Sequence, residues 1–217
     1  MTELSPVVLV FGEHDNDRSA LIELVIAIRP ELAQLTFRKL REPPVYLRKS
    51  ERPMTRRKSA TEIANLVRAA CVTSEVKFIV THQDCDAVEP AHEAVIETTK
   101  AELKNAGVDF VVVATPAFEM ETWWMLFPRE LKKVQPLWCS VDYGTQNVGL
   151  IANSKCKLRA DLRPDDLKER SKCRDYQEAD SVGIAAKIRE TGAARRRTRA
   201  VSKSFEAFKD MVEAVIV

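Results

Sequence analysis

The chain has 217 residues, 45% of them hydrophobic, and its 34 basic and 32 acidic side chains leave a formal net charge of +2. That length suits one large domain or a domain with a small appendage, and the near balance of charge excludes a polycation built along its whole length for nucleic acid. No apolar run approaches the ~20 residues that span a bilayer, and Met1 to Pro6 carries neither a basic region nor a long apolar core, so a cytoplasmic protein without membrane contact is expected.

Pro6 to Gly12 reads as a first buried strand, and the polar stretch Glu13 to Asp17 leads into a helix whose apolar face is Ala20, Leu21, Leu24, Val25 and Ile28. Leu35 and Phe37 alternate with polar neighbours in a second strand. Arg38 to Lys58 is basic, holds three prolines and lacks a period, which predicts a long loop. Ser59 with Glu62 resembles a capping box before a helix that buries Ile63, Leu66, Val67 and Ala70. A central strand from Val76 to Thr81, a helix from about Ala91 to Ala106 and a fourth strand from Val108 to Ala114 follow. Strands alternating with helices predict an α/β fold with a mainly parallel sheet covered on both faces. Beyond Pro116, helices are expected at Phe118 to Phe127, Ser181 to Glu190 and Ser202 onward, while Val134 to Asp175 shows little period.

Three acidic clusters each follow a strand: Glu13 with Asp15, Asp84 with Asp86, and Glu119 with Glu121. Parallel strands end on one edge, so residues distant in sequence can converge there. Neighbouring carboxylates repel one another unless a cation offsets the charge, and a D-x-D pair offers hard oxygen ligands, so magnesium or manganese is the natural occupant. Each cluster also has a plainer reading: turn formation for Asp84 and Asp86, helix capping for Glu13 and Asp15, and a helix amino terminus for Glu119 and Glu121.

The order and placement of these motifs resembles the TOPRIM fold, most nearly the TOPRIM-like proteins related to RloB and the effector subunits of OLD-type systems. The opening V-L-V-F-G-E-H-D is similar to the family's V-E-G-x-x-D, the D-x-D is Asp84-Cys85-Asp86, and P-A-F-E-M-E-T-W-W from Pro116 is similar to its P-x-F-E-x-W. Phe11 stands where a glutamate usually precedes the glycine, and Glu13 is read as its replacement. The segments around Lys155 and Lys157, and from Tyr176 to Ser181, resemble those that close such domains. The resemblance implies a TOPRIM-like core over residues 1–130, with a helical extension over 131–217 packed on it as one domain.

It further implies a magnesium-dependent phosphodiesterase, most naturally a nuclease acting in antiphage defence beside an ABC-type ATPase. Glu13, Asp15, Asp84, Asp86 and Glu119 would hold the metal, with Lys155 or Lys157 adding positive charge on the phosphate. An inactive binding or regulatory subunit and a metal-dependent phosphatase or nucleotide hydrolase are the alternatives, and a homo-oligomer is compatible with either. Arg56-Arg57-Lys58 and Arg195-Arg196-Arg197 are dense enough to contact DNA or RNA phosphates, and also suit solvated surface. His14 and His82 adjoin the acids as proton shuttles, phosphate ligands or simple loop hydrogen-bonders. Trp123 and Trp124 read as core packing. Five cysteines without a C-x-x-C pair, and only three histidines, argue against a zinc site or a disulfide framework.

Overall fold

A computed structural model describes residues 4–40 and 53–216. Strands β1 (Ser5–Phe11), β2 (Thr36–Lys39), β3 (Ser74–His82) and β4 (Val111–Ala114) form one all-parallel sheet in the order β2-β1-β3-β4. The period of two in a strand divides their side chains cleanly. Val8, Val10, Phe78, Val80, Val112 and Ala114 enter the larger core, whereas Val7, Leu9, Phe11 and Ile79 enter the smaller one. Both faces are covered over β1, the second half of β3 and β4, which are apolar there as buried parallel strands are, whereas the edge strand β2 is largely exposed and polar.

Helices α1 (Asp15–Ile28), α2 (Pro53–Cys71) and α3 (Ala91–Asn105) connect the strands. The smaller core takes Ala60, Ile63 and Ala64 from α2 and Leu103 from α3, while α1 lies over the opposite face. α2 begins earlier than the expected capping box, so Ser59 lies inside it and Arg56, Arg57 and Lys58 belong to a helix rather than a loop. A proline is tolerated at the first helical position, and straight-chain Met and Arg residues are good helix formers, so nothing local stops the earlier start. Residues 41–52 of the expected loop lie outside the described residues.

After β4, the helix expected from Phe118 to Phe127 is only the single turn α4 (Glu121–Trp124), and α5 (Pro128–Val134) follows beyond it. Phe118 has φ of 61°, which excludes it from a right-handed helix, and Pro128 opens a new one. The aperiodic stretch holds α6 (Ser154–Leu162) and the single turn α7 (Leu167–Arg170). α8 (Asp180–Thr191) ends at Gly192, whose φ of 66° supplies the left-handed stop, and α9 (Lys203–Glu213) closes the described chain.

The extension shares the core of the amino-terminal part. α8 packs along α1 and α5, and Leu158, Tyr176, Ile184, Phe205 and Phe208 join the same apolar cluster as Val8, Leu21 and Trp123. Trp123 and Trp124 are fully buried, and their ring N–H groups donate to Ser204 (3.0 Å) and Ser181 (3.1 Å), two hydroxyls of the extension. Indole rings bury large area only when that N–H finds a partner. Among the described residues no helix is long and apolar enough to cross a membrane.

Buried Glu89 staples the loop after β3 to the carboxyl-terminal part. Its Oε1 accepts from the Ser202 hydroxyl and the Ser204 amide, both at 2.9 Å, and its Oε2 accepts from Asn147 at 3.0 Å. Gly149 makes this possible, because a Cβ there would lie 2.0 Å from the Glu89 carboxyl carbon. Gly149→Ala is expected to destabilise the protein by ~2–4 kcal/mol in urea unfolding, through overpacking and a disturbed buried carboxylate. A variant as stable as wild type would show that the staple carries no weight.

Candidate acidic site at the carboxyl edge of the sheet

In the strand order β2-β1-β3-β4 the chain leaves β1 toward one side and returns on the other, so the crevice of the sheet opens at the carboxyl ends of β1 and β3. Glu13 follows β1, and β3 delivers His82 and then Asp84. His82 continues the row Phe78, Val80 toward α1, and Gly12 lets the β1 end approach it, since a Cβ there would sit 3.2 Å from the His82 Cβ.

His82 is 1% exposed and lies between two carboxylates. Its Nε2 stands 3.3 Å from Asp84 Oδ1, and its Nδ1 is 3.8 Å from Asp17 Oδ2 on the first turn of α1. Neither contact has hydrogen-bond alignment, so both ring nitrogens and Asp84 Oδ1 are buried polar atoms without an aligned partner. Burial alone would lower the imidazole pKa, but Asp84, Asp17 and Glu13 outweigh it and raise it. Burial pushes the Glu13 carboxyl up, and the Asp84 charge adds to the shift. Burial also pushes Asp17 up, opposed by His82 and reinforced by Asp84. Glu13, Asp17 and Asp84 thus form one electrostatic group.

A second cluster adjoins it. Lys155 Nζ lies 2.8 Å from Glu178, 3.2 Å from Glu119 and 4.0 Å from Glu121. Burial lowers its pKa less than these partners raise it, so the ammonium is held charged. Glu178 feels Asp84 as well, which joins the two clusters. Backbone stitching explains their proximity. Past the strand ends, Gln83, Cys85 and Asp86 donate to the carbonyls of Ala114, Pro116 and Phe118 at 3.0–3.1 Å, so the D-x-D segment runs beside the segment leading to Glu119.

Among the described residues three non-glycine residues adopt left-handed backbone, namely Asp86 (φ 52°), Phe118 (φ 61°) and Asn153 (φ 52°). Each lies within two residues of Asp84, Glu119 or Lys155. Such conformations cost roughly 1–2 kcal/mol for an L-residue and persist where surrounding structure over-determines them, often at functional sites.

The structure brings together Glu13, Asp84, Glu119 and Lys155, with Asp86 exposed at the rim. It turns Asp15 away. Asp15 and Asp17 are two positions apart on α1, about 200° around the axis, so only one can face the crevice. Asp15 pairs with Lys39 at 2.8 Å and with Arg18 at 3.4 Å, while Asp17 takes the inward place. Glu119 is also engaged: its Oε1 accepts the Lys155 amide at 2.7 Å at the start of α6, whose cap residue Asn153 makes no side-chain bond. Lys157 pairs with Asp161 at 2.6 Å, away from this network. Asp17 and Glu178 were not singled out from the sequence.

Carboxylate oxygens are the donors that a hard divalent cation prefers. Glu13, Asp17 and Asp84 offer carboxylate oxygens, one of them buried without an aligned donor, and a cation would relieve the repulsion that raises the first two. Among the described residues no group of three or more His, Cys, Asp and Glu side chains is placed so that it could hold a metal ion. No known protein-family model, curated protein or solved structure matches the chain.

Glu121 carries the clearest pH signature. It is 3% exposed, accepts from the Tyr176 hydroxyl at 3.0 Å, and burial pushes its pKa to about 7 against the partial opposition of Lys155. Between the ordinary carboxylate range and pH 7 the folded state keeps a proton that the unfolded chain has released. The stability this contributes is fully present below the unfolded pKa and is lost as pH rises through 7. Wild type is expected to lose ~2 kcal/mol more than Glu121→Gln between pH 5 and pH 8 in chemical denaturation. Parallel stability curves would show that Glu121 is ionised throughout.

Proposed function

We propose that the protein is a divalent-cation-dependent phosphodiesterase, and specifically a nuclease, with Glu13, Asp17 and Asp84 holding the ion. The observation that carries this is the pair of carboxylates, Asp17 and Asp84, set against the two ring nitrogens of fully buried His82, with Glu13 near enough for its charge to act on the imidazole, at the crevice where the order of the parallel strands reverses. A magnesium or manganese ion bound there would supply an activated water and neutralise phosphate charge. His82, held toward its protonated form by the same carboxylates, would keep their mutual repulsion tolerable while the ion is away. Lys155 stays charged beside Glu119 and Glu178 and would add positive charge on a phosphate bound at the crevice. The TOPRIM likeness supports this reading through its motifs. The ABC-type ATPase partner and the role in antiphage defence rest on that likeness alone.

One observation favours a second reading, a TOPRIM-like subunit that binds without cleaving. Phe11 occupies the usual glutamate position, and Glu119 is already spent on the α6 amino terminus and on Lys155.

The two readings separate in a paired experiment. Calorimetric manganese titration should show affinity falling at least ~10-fold in Asp84→Asn and in Asp17→Asn, with Asp15→Asn unchanged. The same three variants, assayed on plasmid, single-stranded DNA and transfer RNA with magnesium or manganese, should show cleavage lost in the first two and kept in the third. Equal manganese affinity in all four proteins would remove the metal site. Metal binding with no cleavage of any substrate would favour the binding subunit.

A further inference from the structure

A second concave surface lies on the α1 and α8 side of the sheet and shares no lining residue with the acidic cluster. A cavity of ≈ 260 Å³ has Met125, Phe127 and Ala200 on its apolar side and Arg196, Arg197 and Arg199 among its charged lining. A neighbouring cavity of ≈ 480 Å³ shares Pro128, Arg129, Asp142 and Arg199 with it and adds Lys132 and Lys133. The two adjoin at those shared residues, and six cationic side chains line the combined groove.

Its acids do not balance that charge. Asp142 pairs with Arg199 at 2.8 Å, and Glu130 is buried, accepting from Thr191 and standing 3.9 Å from Lys133 and 4.0 Å from Arg196. Four cations remain in excess over two carboxylates, and Arg129, Arg196, Arg197 and Arg199 are exposed. Like charges gathered in a cleft focus a field that draws a complementary polyanion. The groove also presents an aromatic wall. Half-buried Tyr143 lines it, with its ring fixed by a hydroxyl that donates to Asp161 at 2.9 Å. Arginines beside a fixed aromatic are what single strands require, because phosphates take the cations and bases take the π-face.

The structure also separates the two basic runs of the sequence. Arg56 and Arg57 are on α2, whose helix covers the opposite face of the sheet, and Arg195 folds back toward Gly192. Arg196, Arg197 and Arg199 are left to the groove.

We propose that this groove binds single-stranded nucleic acid, with phosphates on Arg129, Arg196, Arg197 and Arg199 and bases against the exposed part of Tyr143. It deepens the nuclease reading by naming where its substrate is held, and it rests on that reading for the class of ligand. The test is fluorescence anisotropy of a labelled single strand of about 12 nucleotides, in EDTA, over a series of salt concentrations. The triple variant Arg196→Ala, Arg197→Ala, Arg199→Ala should bind at least ~10-fold more weakly at low salt, with its log-log salt slope smaller by ~2, since each lost phosphate contact removes ~0.7. Arg56→Ala with Arg57→Ala should stay within about twofold of wild type, and an abasic strand of equal length should bind wild type severalfold more weakly. Wild-type affinity and slope in the triple variant, a larger loss in the α2 pair, or equal binding of the abasic strand would each overturn the proposal. Chelating the metal separates this from the chemistry: a protein that binds here and cuts nothing keeps the groove and loses the nuclease.

Discussion

All four strands run the same way, and that alignment governs everything else in the molecule. It places the ends of β1, β3 and β4 on one edge, and the backbone bonds from Gln83, Cys85 and Asp86 to the segment after β4 extend the alignment beyond the sheet. Acids following different strands are then forced into one neighbourhood whose self-repulsion must be offset. Lys155, shared among Glu119, Glu121 and Glu178, offsets part of it, and the carboxylates around His82 raise the imidazole pKa. The amino terminus of α6 adds a further favourable partner for Glu119.

The carboxyl-terminal extension is part of this arrangement. It provides Lys155, Tyr176 and Glu178 to the acidic edge, and Ser181 and Ser204 to the two buried indoles. Its helices bury their apolar faces in the core that already contains α1 and the sheet, so the site and the main core are stabilised by the same contacts. Glu89 ties the loop after β3 to Ser202 and Ser204 across more than a hundred residues of chain, which keeps the Asp84 segment registered against the extension.

Charge is also divided spatially. The acidic edge concentrates carboxylates around a crevice, while the arginines that follow α8 face a separate groove with α5 and its flanks. A near-neutral chain thereby carries two strongly polarised surfaces, which the net charge of +2 conceals.

The sequence by itself determined the α/β class, the parallel sheet and the positions of the strands, because apolar runs such as Val7 to Phe11 and Phe78 to Thr81 have no other economical burial. It also placed acids after three strands and marked Trp123 and Trp124 as core, since position after a strand and apolarity are local properties. Which acids meet was decided only by tertiary structure. Asp17 rather than Asp15 faces the crevice through the rotation of α1, Glu119 is drawn to a helix 35 residues onward, and Glu178 arrives from the extension. The start of α2 and the separation of Arg56 from Arg196 were equally hidden, because helix boundaries and the assignment of a segment to one face of a sheet depend on packing partners distant in the chain.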